Sequence, residues 1–203
     1  MTAAAFAAVL RGRAAPGSRV IAGIAGEPGA GKSTLAGDVA QLLGPDAVVL
    51  PMDGFHLPQA RLVELGRRDR MGAPDTFDVP GFVRVLTAVR VDAGPVDAPG
   101  FDRVVEEPVP DAIRIDPAHR IVIVEGNYLL HDADGWEAVA GLLDVTGFIR
   151  IDPRIRQQRL ITRHIAFGKT ADAARDWALG PDEANAALIR SGADRADMLL
   201  AVD

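Results

Sequence analysis

Eight residues near the start of the chain, GEPGAGKS at 26–33, have the spacing G-x-x-x-x-G-K-[ST], with Thr34 next. That spacing suits one kind of chemistry, the holding of phosphate. Gly26, Glu27, Pro28, Gly29, Ala30 and Gly31 form a loop whose glycines let successive backbone N–H groups turn inward around phosphate oxygens. The helix that follows adds favourable partial charge. Lys32 reaches the β- and γ-phosphates, and the Ser33 hydroxyl can ligate Mg²⁺. The alternative is a glycine-rich turn with no ligand. A hydrophobic run before the loop (RVIAGIAG, 19–26) and a helical pattern after it (STLAGDVAQLLG, 33–44) supply the strand–loop–helix setting that phosphate binding needs. The chain therefore reads as a binder of a nucleoside triphosphate.

A metal-bound triphosphate also needs a carboxylate at a neighbouring strand end. IVIVEG at 121–126 supplies Glu125 after four apolar residues, as a Walker B carboxylate is placed, although a strand-end carboxylate is also a common surface feature. LPMDGFHL at 50–57 ends a second apolar run. Its Asp53-Gly54 pair reads either as a corner or as a base presented to a hydroxyl. Four arginines, 154, 156, 159 and 163, stand with His164 and Lys169 in a stretch without one acidic residue. Arg156, Arg159 and Arg163, spaced i, i+3, i+7, share one helix face. Charged faces are ordinarily solvated and mixed in sign. A one-signed stripe on an acidic chain calls for an anion from outside, and Arg159 and Arg163 are the expected phosphate clamps, ahead of Arg154 and Arg156.

These groups must be positioned by the elements that the pattern predicts. An amphipathic helix opens the chain at MTAAAFAAVLRGR, and 13–19 is a loop with Pro16 and Gly17. Strands are expected at 19–26, 47–53, 120–126, 145–152 and 196–203. Helices are expected after the phosphate loop, with Gly44-Pro45 as a stop, over 79–92 with Asp78 as cap and Pro80 in the first turn, over GWEAVAGLLD, over 153–168, and as short pieces within 170–190. Residues 56–72 read as helical and irregular by turns. The stretch 92–116, rich in Pro, Asp and Glu, reads as loops with short strands. Strands alternating with helices define an α/β domain around a mostly parallel sheet.

Composition sets the outer limits. The chain has 203 residues, enough for about one domain, with 48% hydrophobic residues to build a core. A net charge of -6 argues against broad nucleic-acid or membrane-surface binding. There are no cysteines, hence no disulfides or thiolate metal sites, in keeping with a reducing compartment. No apolar run approaches a membrane span, and no positive charge precedes the apolar N-terminus as a secretory signal requires, so the expected location is the cytoplasm. Only Lys32 and Lys169 are lysines, and one of the two sits in the phosphate motif.

Taken together, GEPGAGKST, MDGFH, GAPDTFD and VEG resemble the group of uridine kinase, phosphoribulokinase and bacterial pantothenate kinase, over the chain from about residue 20 onward. FDRVVEEPV and VEGNYLL are similar to small bacterial kinases named loosely as nucleoside, nucleotide or fructose-transport kinases. The resemblance implies a three-layer α/β/α P-loop kinase fold with a five-stranded, mostly parallel core. One domain would span 1–203, with a helical lid near 154–180 and acceptor-binding insertions near 54–78 and 93–116. It implies ATP and Mg²⁺ as cofactors and phosphoryl transfer to a small-molecule hydroxyl on a sugar, nucleoside or pantothenate-like acceptor; a homodimer is compatible with it. By matching motif, Asp53 is the base, Glu125 serves Mg²⁺, and Asp75 and Asp78 hold acceptor hydroxyls. Arg159 and Arg163 on the lid take the phosphates. Phe55 with Phe101, Asp102 and Arg103 are expected around the acceptor. His56, Asn127 and Tyr128 stand between pocket lining and ordinary structural roles, as Trp136 and Trp177 stand between packing and lid contacts. GFDRVVEEP replaces the histidine-containing substrate motif of uridine kinases, which leaves the acceptor open.

Two other classes share parts of this pattern. The P-loop is also similar to that of regulatory GTPases and metallochaperones. Guanine selectivity there rests on N-K-x-D, which this chain lacks, and its D-x-x-G matches at 97–100 and 132–135 do not end hydrophobic strands. A binding protein with a dead P-loop is disfavoured by the intact Lys32, Ser33, Asp53 and Glu125.

Overall fold

A computed structural model describes all residues except 16, 92 and 203. The expected loop residue Pro16, the last residue of the 79–92 helix and the last of the closing strand lie outside the described residues. Helix α1 (Ala3–Arg13) begins where the Thr2 hydroxyl accepts from Ala5 N, and it buries Phe6, Ala7 and Leu10. Strands β1 (Val20–Gly26), β2 (Ala47–Pro51), β5 (Ile121–Gly126), β6 (Val145–Ile149) and β7 (Met198–Leu200) form a five-stranded sheet in the order β2-β5-β1-β6-β7. Every pairing in it is parallel.

Alternation along the strands divides the core in two. Ile21, Ala25, Val122 and Val124 face one cluster, which includes Phe55, Phe82, Leu86, Tyr128 and Trp136. Val20, Ala22, Ile24, Ile121 and Ile123 face the other, built with Phe6 and Leu10 of α1 and Leu35 and Val39 of α2 (Lys32–Leu43). A strand covered on both faces reads as a continuous apolar run, which is why β1 and β5 are legible in the sequence. The result is three layers, as the resemblance implied.

The first of these faces also carries α4 (Val79–Val91) and an antiparallel ribbon of β3 (Val96–Asp102) and β4 (Glu107–Ile115), with a register shift between Ala98 and Gly100. This ribbon stands where loops with short strands were expected. Val96, Ala98 and Ile115 anchor it in the core, while Pro108 and Pro110 sit in a two-stranded ribbon whose open edges tolerate a missing N–H. A short α3 (Gln59–Glu64) precedes it. The helix expected over GWEAVAGLLD shrinks to α5 (Glu137–Ala140), because Gly141 follows at once and glycine is a poor helix residue. The last three helices are α6 (Pro153–Ala166), α7 (Ala171–Leu179) and α8 (Pro181–Arg190). Asp152 caps α6 through Arg154 N at 2.7 Å, so the strand expected to run through 152 ends at Ile149.

Strand β2 likewise stops at Pro51, and a single helical turn, Met52–Phe55, follows it. Gly54 in that turn is required for a close approach, not for left-handed backbone. A Cβ there would meet the Pro99 carbonyl of β3 and stand 3.3 Å from Gly100 Cα. Both obstacles are backbone and cannot rotate away. Gly54→Ala is expected to lower unfolding free energy by about 1–3 kcal/mol, measured by urea denaturation; an unchanged midpoint and slope would contradict the contact.

Candidate active site

Parallel pairing brings three loops to one end of the sheet. Pro51 of β2 lies opposite Glu125 of β5, and Glu125 opposite Ile24 of β1, so Asp53, Glu125 and the phosphate loop all leave the sheet at the carboxyl ends of its strands. In open α/β sheets ligands bind at that end. There a cleft of about 400 Å³ is lined by Lys32, Ser33, Thr34, Asp53, His56, Phe101, Arg103, Glu125, Asn127, Arg159 and Arg163, among others.

The phosphate loop is held in shape from behind. Gly29 has φ +80°, and a Cβ on it would stand 2.8 Å from Leu160 Cγ and 2.9 Å from the Arg156 carbonyl oxygen, so only glycine lets α6 sit against the loop. The Glu27 carboxylate points away from the cleft. Arg190 of α8 grips it with Nε and Nη2, both at 2.9 Å, and Arg156 Nε lies 2.9 Å from its Oε2. Arg156 is wholly buried, pairs also with Glu183, and reaches the Pro28 carbonyl with Nη1 at 3.4 Å. The expectation that Arg156 shares a phosphate-clamping face is corrected here. Its anions are internal, and they come from elements far away in the chain.

Inside the cleft, Lys32 Nζ donates to the Glu27 carbonyl at 3.1 Å, and Ser33 Oγ donates to Glu125 Oε1 at 2.7 Å. Burial lowers the Lys32 ammonium to about 8, with Glu125 and Asp53 opposing. Burial and then the charge of Asp53 raise the Glu125 carboxyl above its usual value. Burial also acts to raise Asp53, but the neighbouring His56 and the charges of Arg103, Lys32 and Arg163 outweigh it and hold that carboxyl low. Two carboxyls in one cleft are thus pushed in opposite directions, Glu125 up and Asp53 down. Burial and the neighbouring Arg103 lower Arg163 from its ordinary value.

Arg103 Nη2 donates to Asp53 Oδ2 at 2.7 Å. His56 fills both roles left open for it. Its Nδ1 lies 2.8 Å from the Asp53 carbonyl, and its ring stands between Phe77 (4.1 Å) and Phe101 (4.7 Å) while lining the cleft. Burial lowers its imidazole, favouring the neutral form.

Several expected residues do not reach this cleft. Asp75 pairs with Arg70 and with Arg67 at 3.3 Å. The Asp78 carboxylate accepts from Gly81 N at 2.9 Å and so serves as the cap of α4. Asp102 turns back on its own loop, accepting from Val104 N at 2.8 Å. Phe55 is core, and Tyr128 is fully buried with its hydroxyl donating to the Gly72 carbonyl at 2.6 Å. Gly26 and Ala30 are buried behind the loop. Trp136 is core, whereas Trp177 lines the cleft beneath Lys169, whose Nζ is 4.8 Å from the ring centroid. Residues that sequence reading missed come from α8 and the 68–72 stretch: Asp182, which meets His164 Nε2 at 2.8 Å, with Asn185 and Arg68. Nothing local to either stretch marked them.

Among the described residues no cluster of three or more His, Asp or Glu could hold a metal by itself. The Ser33–Glu125 pair does fit a phosphate-borne Mg²⁺, which takes one or two protein oxygens and completes its shell with phosphate and water. No described helix is long and apolar enough to cross a membrane.

A strand, a phosphate loop and a facing carboxylate on this sheet define the P-loop nucleotide-binding class. No protein-family model matches the chain. A solved structure titled "putative fructose transport system kinase", from Silicibacter sp. TM1040, superposes with a TM-score of 0.90 at 37% identity, covering 98% of both chains. The "ATP-dependent kinase-like protein notR'" of Aspergillus versicolor is 39% identical over 61% of this chain and 76% of its own length. "Putative uridine kinase C227.14" of Schizosaccharomyces pombe is 35% identical over 75% and 69% respectively. The chain belongs to the uridine kinase and pantothenate kinase group of P-loop kinases. It is an ATP-dependent small-molecule kinase.

A hydrogen-bonded charged partner is worth about 1.5–3 kcal/mol when the group left behind keeps a second one, as Glu27 keeps Arg190. Arg156→Ala is expected to lose that much in urea denaturation. Combined with Glu27→Ala it should lose clearly less than the sum of the two single variants; strict additivity would show that the pair is not coupled.

Proposed function

We propose that the cleft transfers the γ-phosphoryl group of ATP to a hydroxyl of a small polar metabolite lying between Asp53 and the His56–Phe101 rings. The observation that carries this reading is Asp53 itself. It stands in the turn just past β2, where burial is outweighed by the neighbouring His56 and by the charges of Arg103, Lys32 and Arg163, so that its carboxyl is held low. A carboxylate in that setting can orient a hydroxyl and take its proton as the oxygen attacks phosphorus.

In this reading the loop amides from Gly29 to Thr34 cradle the β- and γ-phosphates. Lys32, freed from the Glu27 carbonyl, donates to their oxygens, and its protonated form is favoured by the added negative charge. Ser33 and Glu125 would hold Mg²⁺, which would supply charge neutralisation at the phosphates. Arg159 and Arg163 approach from α6. Transfer through a loose transition state leaves little covalent work for the protein, so positioning and charge neutralisation carry the rate.

In this reading the lid occupies only the later part of the 154–180 stretch that the resemblance implies. Leu160 and the Arg156 carbonyl press on Gly29, which makes the first half of α6 part of the phosphate loop's support. Closure belongs to the end of α6 and to α7, with Lys169 and Trp177. At the acceptor end, Arg68, Asp182 and Asn185 offer both charge signs and an amide. That mixture suits a polyhydroxylated acceptor such as a sugar, a nucleoside or a pantothenate-like amide, in line with the names of the relatives.

A coupled ADP-release assay across sugars, nucleosides, pantothenate and related vitamins tests the reading. One or a few acceptors should raise ADP release far above the acceptor-free rate. Asp53→Asn should bind ATP within about twofold of wild type yet lose roughly 10²–10⁴ in turnover. Wild-type turnover in that variant would exclude Asp53 as the base.

A further inference from the structure

The base assigned above is already engaged by a neighbour. Arg103 sits in the turn between β3 and β4 and reaches across the cleft to Asp53 Oδ2 at 2.7 Å. Its guanidinium is partly exposed, and among the described residues it makes no other hydrogen bond or ion pair. A guanidinium–carboxylate contact occupies an oxygen of the base and weakens its pull on a proton. The turn that carries Arg103 is fixed at several points. Asp102 Oδ1 accepts from Val104 N at 2.8 Å, Gln59 Nε2 donates to the Val105 carbonyl at 2.7 Å, and Arg68 pairs with Glu106 at 2.7 Å. Arg68 and Glu106 both line the cleft, on the side where an acceptor would enter.

We propose that Arg103 is a positioning residue that makes ATP consumption conditional on the acceptor: it holds Asp53 until an acceptor hydroxyl takes its place. The inference rests on Asp53 being the base, and it adds a role that no phosphate or acceptor contact requires. The reaction it suppresses is hydrolysis. A water oxygen would bond to the γ-phosphorus, and the bridging oxygen would leave with the bonding pair as ADP. The water proton would pass to Asp53 and then to solvent. The same carboxylate serves water and acceptor alike, so a P-loop kinase with an open base wastes ATP. An acceptor filling the space beside Arg68 and Glu106 competes for Arg103 and turns Asp53 toward its own hydroxyl, whereas water cannot fill that space.

The experiment needs only MgATP and the full chain. Arg103→Gln removes the charge at a partly exposed position, and an ATP-induced rise in melting temperature confirms that the variant is folded and binds nucleotide. ADP release without acceptor should rise at least about tenfold in Arg103→Gln, within the range a freed general base supplies. It should rise less in Arg103→Lys, which keeps the charge, and return to the wild-type level or below in Asp53→Asn/Arg103→Gln. Loss of structure alone would not raise turnover. No rise in Arg103→Gln, or a rise that persists in the double variant, overturns the proposal. Asp53→Asn assayed with the acceptor returned by the screen separates the two readings. Transfer surviving in that variant overturns the base assignment and the guard together. A dead Asp53→Asn beside a silent Arg103→Gln overturns the guard alone.

Discussion

The buried contact between Arg156 and Glu27 is the constraint from which the rest of the site takes its geometry. A phosphate loop is a string of glycines with little stiffness of its own, and glycine loses more freedom on ordering than any other residue. Here the loop is stiffened through a side chain that faces away from the ligand. Glu27 ties it to α6 through Arg156 and to α8 through Arg190, and Glu183 satisfies the other side of Arg156. Because Arg159 and Arg163 follow Arg156 on the same helix, the contact that shapes the loop also sets where those arginines begin. An ion pair so placed contributes modestly to net stability, since both charges are desolvated. Its stronger effect is on register.

The cleft divides its carboxylates by surroundings. Glu125 is deep and next to a hydroxyl donor, and burial raises it. Asp53 is ringed by cations and stays ionised. The same sheet end therefore holds two acidic residues in unlike surroundings, one at the end of β5 and the other in the turn just past β2.

How much of this was legible in sequence depends on whether the signal was local. The buried parallel strands were, because a strand covered on both faces has no polar alternation, and so were the phosphate loop and the two strand-end carboxylates. Asp78 shows two local signals in conflict: the cap before a Val-Pro-Gly helix start and the acidic motif of a kinase family. In the structure the cap is formed. Asp75 could have been read differently, since the RRDR run at 67–70 places two partners a few residues upstream. Arg156 could not, because one helix turn looks like the next until the distant Glu27 and Glu183 arrive. The contribution of α8 to the cleft was likewise invisible, being a matter of tertiary placement and not of pattern.

The scarcity of lysine has a chemical consequence. The chain carries two lysines, and both line the cleft. Lys32, lowered to about 8, is more often a free amine near neutrality than an ordinary lysine. Acylating or aldehyde reagents that seek side-chain amines therefore have targets only in the nucleotide and lid regions. Nucleotide would shield the first of these. Apart from the α-amine of Met1, amine-directed covalent capture is thereby confined to the cleft.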